Sequence, residues 1–209
     1  MDSRIRFATI SLGAVAAIAI TGGAVAVAGV AGAGPSARAM LRSADATTVG
    51  TISFNSHGSF TEVRVQLRLN PDTVATNAFH GLHIHANSDP ANGAGCLADA
   101  TKDPTTWFSA VDGHWKTEGQ DHASHIGDLT SVYVSTNGQA DARFTTSRLD
   151  RGALSGKALI LHASADNFGN VPVGDAPNQY KPNSPDATTA TKNTGNAGVR
   201  IACGVIGEK

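Results

Sequence analysis

The sequence predicts an all-β domain. Aromatic residues make up only 5% of the 209 residues, whereas glycine occurs 23 times. Short stretches of alternating apolar and polar residues are separated by turn residues, and no stretch has a convincing helical period. We therefore expect seven or eight short strands in one β-sandwich or barrel with Greek-key connections. The length fits a single domain with a substantial core.

Residues 1–39 are predicted to be an export signal. Arg4 and Arg6 precede an uncharged, mostly apolar run that begins at Ala8. Small-residue sites at 24–26, 31–33 and 37–39 are candidates for cleavage. The alternative is an uncleaved anchor, because the uncharged stretch continues to residue 37 and about 20 apolar residues can span a bilayer. Both alternatives place the domain outside the cytoplasm, either secreted or in the cell envelope.

Residues 40–48 are predicted to form a linker and residues 49–209 the folded domain. The clearest strand is Phe60–Asn70, where apolar and charged or polar residues alternate. The other predicted strands are Val49–Phe54, Phe79–Ala86, Leu129–Ser135, Ala140–Ser147, Gly156–Ala163 and Val199–Ile206. Two long segments, 97–128 and 167–196, have no strand pattern, and long irregular segments in compact domains are usually functional.

Charge and cysteine content restrict the function and the compartment. The formal net charge is −1 and the chain has no basic patch, which argues against a nucleic-acid partner. The only two cysteines, Cys96 and Cys203, both lie in the part predicted to be exported. An even pair in an oxidising compartment most simply forms a disulfide.

Two histidines on one predicted strand suggest a metal site. Side chains two residues apart point to the same face of a strand, so His83 and His85 lie side by side. Imidazole is a preferred ligand of copper and zinc. A half-exposed polar strand face is the competing interpretation.

A second group of candidate ligands lies in the first irregular segment. It comprises His114, His122, His125 and Asp128. Three imidazoles and one carboxylate are a complete tetrahedral shell for zinc. Another histidine, His162, ends a predicted strand.

Four motifs resemble the secreted copper/zinc superoxide dismutases of bacterial type. They are GLHIH at 81–85, HIGDL at 125–129, LHASAD at 161–166 and GNAGVRIACGVIG at 195–207. The resemblance covers roughly residues 81–207, and it implies an eight-stranded Greek-key β-barrel with two long functional loops.

The resemblance also implies roles for individual residues. Copper would bind to His83, His85, His114 and His162, and zinc to His114, His122, His125 and Asp128. Asp166 would link a copper ligand to a zinc ligand, and Arg200 would guide the anionic substrate. Cys96 and Cys203 would form the intrasubunit disulfide.

The implied activity is the conversion of superoxide to dioxygen and hydrogen peroxide by a redox-active copper, with His114 as the bridge to zinc and a source of a proton. The segment between His122 and His125 is shorter than is common in the family, so a copper-only dismutase is an alternative. A non-catalytic copper-binding or structural protein of the envelope is another. The sequence leaves open whether the protein is a monomer or a homodimer, and whether its N-terminus attaches it to a membrane.

Overall fold

A computed structural model describes residues 37–93, 95–169 and 185–208. This part of the chain contains nine strands and one α-helix. The strands are β1 (Ala37–Ser43), β2 (Thr48–His57), β3 (Phe60–Arg68), β4 (Ala78–His80), β5 (Leu82–His85), β6 (Val132–Val134), β7 (Gln139–Thr146), β8 (Ala158–His162) and β9 (Arg200–Glu208), and the helix is α1 (Pro185–Thr194).

Seven of the strands form one antiparallel sheet in the order β5-β8-β9-β1-β2-β3-β7. The strands β4 and β6 form a separate antiparallel pair. After the β1-β2-β3 meander the chain crosses to the opposite edge of the sheet, so neighbours in space are not neighbours in sequence. The all-β class and the Greek-key barrel or sandwich architecture predicted from the sequence are confirmed.

Strands β5 and β8, which carry His83, His85 and His162, are buried on both faces. Leu82 and Ile84 of β5 lie with Leu159 and Leu161 of β8 in the main core. The opposite face of β5 carries His83 and His85, which pair in register with Ile160 and Ala158 of β8. Because strand side chains alternate, the core residues fix which way the histidines point.

The structure corrects the start of the folded domain. Ala37–Ser43, which was predicted to belong to the end of the export signal and to the linker, forms strand β1 between β2 and β9. Ala37, Ala39 and Leu41 are buried, and the residues between them are exposed. Only residues 44–47 remain as a connection. Small alanines resemble a processing site, and their place in the core depends on pairing with β2 and with β9, which lies far along the chain.

The structure also corrects the second long loop, which was predicted to contain no helix. Helix α1 begins with Pro185, a residue favoured in the first turn, and is followed by Gly195 at φ +61°. The predicted strand over 79–86 is divided at Gly81, since β4 pairs with β6 and β5 pairs with β8. In the described ranges, no helix has the length and apolar character needed to cross a membrane.

Candidate metal centre

Four buried histidines meet at one end of the sheet. His83 and His85 come from β5, and His162 ends β8. His114 comes from the long loop, which runs beside β5: Trp115 donates its backbone N–H to the carbonyl of Ile84 at 2.8 Å. One ring nitrogen from each of the four histidines lies within 4.8 Å of the other three. The four residues that were predicted to bind copper are therefore brought together.

The outer nitrogen of three rings is held by an acceptor. His85 Nδ1 donates to the carbonyl of Asp112 at 2.8 Å, and His162 Nδ1 donates to that of Gly198 at 2.9 Å. His83 Nε2 lies 2.7 Å from Oδ2 of Asp166. Carbonyl and carboxylate oxygens only accept, so each of these rings carries its proton on the outer nitrogen and a lone pair on the inner one.

The inner nitrogens have the properties of metal donors. His83 Nδ1, His85 Nε2, His114 Nε2 and His162 Nε2 are buried and have no hydrogen-bond partner in the described part of the protein. Buried polar atoms are rarely left unsatisfied in native proteins. Four converging imidazole lone pairs fit an ion such as copper that prefers nitrogen ligands.

Burial keeps the rings of His85, His114 and His162 neutral. It lowers the pKa of His162 to about 3, helped by the nearby His83. It also lowers the pKa of His85 and of His114 well below the ordinary value, and neighbouring histidines add to the effect. A neutral imidazole keeps the lone pair that a metal ion requires.

A second cluster uses the opposite nitrogen of the His114 ring. His114 Nδ1 lies 2.9 Å from Oδ1 of Asp128 and 3.3 Å from His125 Nδ1, and His125 Nδ1 lies 3.2 Å from the same carboxylate oxygen. A tetrahedral zinc ion with bonds of about 2.0–2.1 Å holds its ligands about 3.3 Å apart. These three donors therefore fit one zinc ion, and the His114 ring belongs to both clusters.

His122 lies beside the second cluster rather than within it. Its ring centroid is 5.9 Å from that of His114 and 6.0 Å from that of His125. Its Nε2 lies 2.9 Å from Oδ1 of Asp166, and its ligand atom groups with those of His83 and Asp166. Three of the four predicted zinc ligands are thus brought together, and the fourth is adjacent.

Asp166 lies between His83 of the first cluster and His122, which is adjacent to the second. Its side chain is fully buried, with one oxygen on His83 and the other on His122. Burial raises the pKa of Asp166, but the hydrogen bonds of His122 and His83 outweigh this effect and hold it well below its usual range. Gly195 packs against the pair so closely that a Cβ there would collide with the His122 ring and the Asp166 carboxylate.

Arg200 lies at the mouth of the first cluster. A cavity of about 390 Å³ is lined by His85, His114, His162 and Arg200, together with Gly113, Thr194, Asn196 and Gly198. The guanidinium donates to the carbonyl of Phe108 at 2.5 Å and to that of Asp112 at 2.6 Å. Burial lowers the pKa of Arg200, and the charge of Asp112 opposes that shift. An arginine remains charged under such conditions, so the cavity attracts anions.

The disulfide predicted between Cys96 and Cys203 is confirmed, with a Cα–Cα distance of 5.4 Å. It fastens the start of the long loop to β9. Phe108 is buried in a cluster with Val111, Ile160 and Cys203. The loop segment that supplies the carbonyl groups for Arg200 is therefore packed on the sheet.

The backbone groups that orient the site could not be found from the sequence. Asp112 and Gly198 act through their carbonyl oxygens, and any residue has such an oxygen. Gly195 is important because it has no side chain. The one available signal is that Gly195 and Gly198 lie in the motif that contains Arg200.

The fold and the two clusters define a β-barrel protein with two groups of ligands that could each hold a metal ion and that share one imidazole. The family model for copper/zinc superoxide dismutase (SODC) matches residues 48–206. The chain is 35% identical over 180 residues to superoxide dismutase [Cu-Zn] of Mycolicibacterium paratuberculosis, covering 84% of this chain and 75% of the relative. It is 36% identical over 182 residues to the Mycobacterium tuberculosis enzyme of that name, covering 80% and 68%. The chain belongs to the copper/zinc superoxide dismutase family.

Two solved structures share the fold. The clock protein EA4 has a TM-score of 0.57 at 22% identity, over 84% of this chain and 96% of that one. A double mutant of a SOD-like protein from Bacillus subtilis has a TM-score of 0.55 at 20% identity, over 80% and 95%.

Membership of the family and the histidine clusters establish the activity. The protein is an oxidoreductase that dismutates superoxide, with copper and zinc as its cofactors. The non-catalytic alternatives are not favoured.

Proposed function

We propose that the two clusters divide the metals as the motifs imply. His83, His85, His114 and His162 hold copper, and His114, His125 and Asp128 hold zinc with His122 as the fourth ligand. The observation that carries the proposal is the His114 ring, whose Nε2 belongs to the first cluster and whose Nδ1 belongs to the second.

When bound, copper supplies one-electron redox chemistry, whereas zinc supplies a positive charge without redox chemistry. The overall reaction converts two superoxide ions and two protons to one dioxygen and one hydrogen peroxide. The protein must therefore admit a small anion, orient it and deliver protons.

Arg200 performs the first two tasks. Its charge attracts superoxide to the cavity, and its N–H groups orient the anion next to the inner nitrogens of His85 and His162. The carbonyl groups of Phe108 and Asp112 hold the guanidinium in place. His114 supplies one of the two protons, because its ring lines the cavity and its Nε2 can hold a proton and pass it to the product; the other proton comes from solvent.

We also propose that the enzyme works outside the cytoplasm. The Cys96–Cys203 disulfide supports an oxidising compartment, and the charged and apolar pattern of the N-terminus supports export. Because β1 begins at Ala37, cleavage at one of the two earlier small-residue sites would leave the sheet intact. The mass of the mature protein recovered from the soluble and the membrane fractions distinguishes cleavage from anchoring.

The assignment is tested by metal analysis and superoxide consumption for wild type and His114→Ala. The matched control is His57→Ala, since His57 stacks on Phe60 in the β2–β3 hairpin, away from both clusters. We expect His114→Ala to lose activity and zinc, and His57→Ala to keep both. Full activity in His114→Ala would refute the mechanism.

A further inference from the structure

We propose that the carboxylate of Asp112 is a positioning group for Arg200 and thereby sets how strongly the copper cavity binds anions. This inference rests on the proposed role of Arg200. It concerns the Asp112 side chain, whereas the contact with the guanidinium is made by the Asp112 carbonyl group.

Asp112 has a backbone conformation that only glycine adopts readily. It follows the short 3-10 turn Ser109–Val111 with φ 63° and ψ −159°. A residue with a side chain persists there only where its surroundings hold it. The residue before the turn, Phe108, is also left-handed, with φ 52°. Both carbonyl groups that hold Arg200 thus belong to the left-handed residues at the two ends of one turn.

The surroundings that hold Asp112 are a set of donors on its carboxylate. Oδ2 accepts from the backbone N–H groups of Ser88 at 2.7 Å and Asp89 at 3.1 Å, and from the Ser88 hydroxyl at 3.3 Å. Oδ1 accepts from the side-chain amide of Asn92 at 2.5 Å. All four donors lie in residues 88–92, which follow the strand that carries His83 and His85. The carboxylate therefore clamps the loop turn to the exit of β5.

The clamp acts on the site through the Asp112 carbonyl oxygen. That oxygen accepts from Arg200 Nη2 at 2.6 Å and from His85 Nδ1 at 2.8 Å. If the carboxylate is removed, residue 112 is no longer fastened to residues 88–92, so its carbonyl group is free to turn. The guanidinium then loses one of its two fixed acceptors, and a displacement of about 1 Å is enough to weaken a preorganised site.

The experiment measures the Kd of azide, a small anion that ligates Cu(II), by optical titration of the copper-loaded protein, together with kcat/KM for superoxide at low ionic strength. Asp112→Gly permits the same backbone conformation but removes the clamp. Asp112→Asn keeps the shape and an acceptor oxygen, and rotation of the Asn92 amide restores the remaining contact. The matched control is Asp99→Gly, which removes the two hydrogen bonds from Thr101 on the same loop and no contact with the site.

We expect Asp112→Gly to weaken azide binding and to lower kcat/KM by about tenfold, and Asp112→Asn to stay within about threefold of wild type. Asp99→Gly should match wild type. In the Arg200→Ala background, Asp112→Gly should change azide binding by less than about threefold, because only the contact of the Asp112 carbonyl with His85 remains.

Wild-type azide affinity in Asp112→Gly would overturn the proposal, and so would an undiminished effect of that substitution in the Arg200→Ala background. If Asp112→Gly is not recovered folded, the Kd of azide for Asn92→Ala tests the proposal instead. This variant removes one of the four donors and should weaken azide binding by about threefold, whereas unchanged binding overturns the proposal. If Arg200→Ala alone leaves azide binding unchanged, the proposed role of Arg200 itself is wrong.

Discussion

Replacing Asp166 with asparagine should weaken zinc binding far more than copper binding. In the wild-type protein, both carboxylate oxygens face ring nitrogens, 2.7 Å from His83 Nε2 and 2.9 Å from His122 Nε2. Asparagine has one acceptor oxygen, so its NH₂ group must face an N–H group of one ring. A buried donor left without an acceptor costs about 1–3 kcal/mol, and loss of a partner that orients a ligand typically weakens metal binding about 10–100-fold.

The loss should fall on the zinc side because the two histidines are held differently. His83 lies within β5, which is paired along its length with β8. His122 lies in the loop, where its backbone N–H donates to the carbonyl of Lys192 in α1. The asparagine oxygen therefore stays with His83, and His122 turns away. We expect zinc affinity to fall about 10–100-fold and copper affinity to change by less than about threefold.

The assay is a competitive titration of metal-free protein with each metal against a chelator of known affinity. Asp141→Asn, a change at an exposed position of β7, is the control for loss of a carboxylate charge. Equal zinc affinity in the Asp166 and Asp141 variants would refute the reasoning, as would selective loss of copper.

Three further outcomes follow from the geometry of the site. Arg200→Ala should lower kcat/KM at low ionic strength by about tenfold or more. Arg200→Lys should recover only part of the lost kcat/KM, because lysine supplies the charge without the planar pair of donors. Equal rates in both variants would contradict the role of that pair. Asp128→Ala should lose zinc while copper remains, and an unchanged zinc content by elemental analysis would show that zinc binds elsewhere. Metal-free protein should lose stability as the pH falls below 6.5, since unfolded histidines then take up protons that His162, with a folded pKa of about 3, does not. The free energy of unfolding should fall by about 1.4 kcal/mol per pH unit for each such histidine. Denaturation curves that coincide at about pH 7 and pH 5 would contradict this loss of stability.

Much of the fold was predictable because strand alternation is a local signal. The burial of β3 follows its sequence, with Thr61, Val63, Val65 and Leu67 buried in turn. Strand β1 was missed because its buried side chains are mostly alanine. Alanine gives no clear strand signal, and these residues are buried only because β2 and β9 lie on either side. Helix α1 was missed because its residues, largely threonine, alanine and asparagine, show little amphipathic pattern. Its Thr191 is nevertheless buried.

The candidate site was predictable to the extent that side chains define it. His83 and His85, and the loop group that ends at Asp128, are recognisable by type and spacing, whereas Asp166 was indicated only by the family resemblance; the structure brings them together. The acceptors that hold Arg200 were not predictable, since they are the carbonyl groups of two residues with left-handed backbone conformations, Phe108 and Asp112. The left-handed conformation of Asp112 depends on donors some twenty residues earlier in the chain, and no local pattern encodes such a contact.

The two metal sites differ in how much of their geometry the sheet provides without a metal. On the copper side, His83, His85 and His162 are fixed by strand pairing and by outward hydrogen bonds. On the zinc side, every ligand lies in residues 114–128. His114 and Asp128 lie opposite His85 and His83 of β5, and His125 contacts the Asp128 carboxylate. His122 alone lies outside this group. Because binding free energy adds to folding free energy where a site is not preformed, zinc should order mainly His122, whereas copper should enter a site that already exists. Because the His114 ring belongs to both clusters and lines the cavity where superoxide binds, zinc bound to this ring also supports the geometry of the cavity.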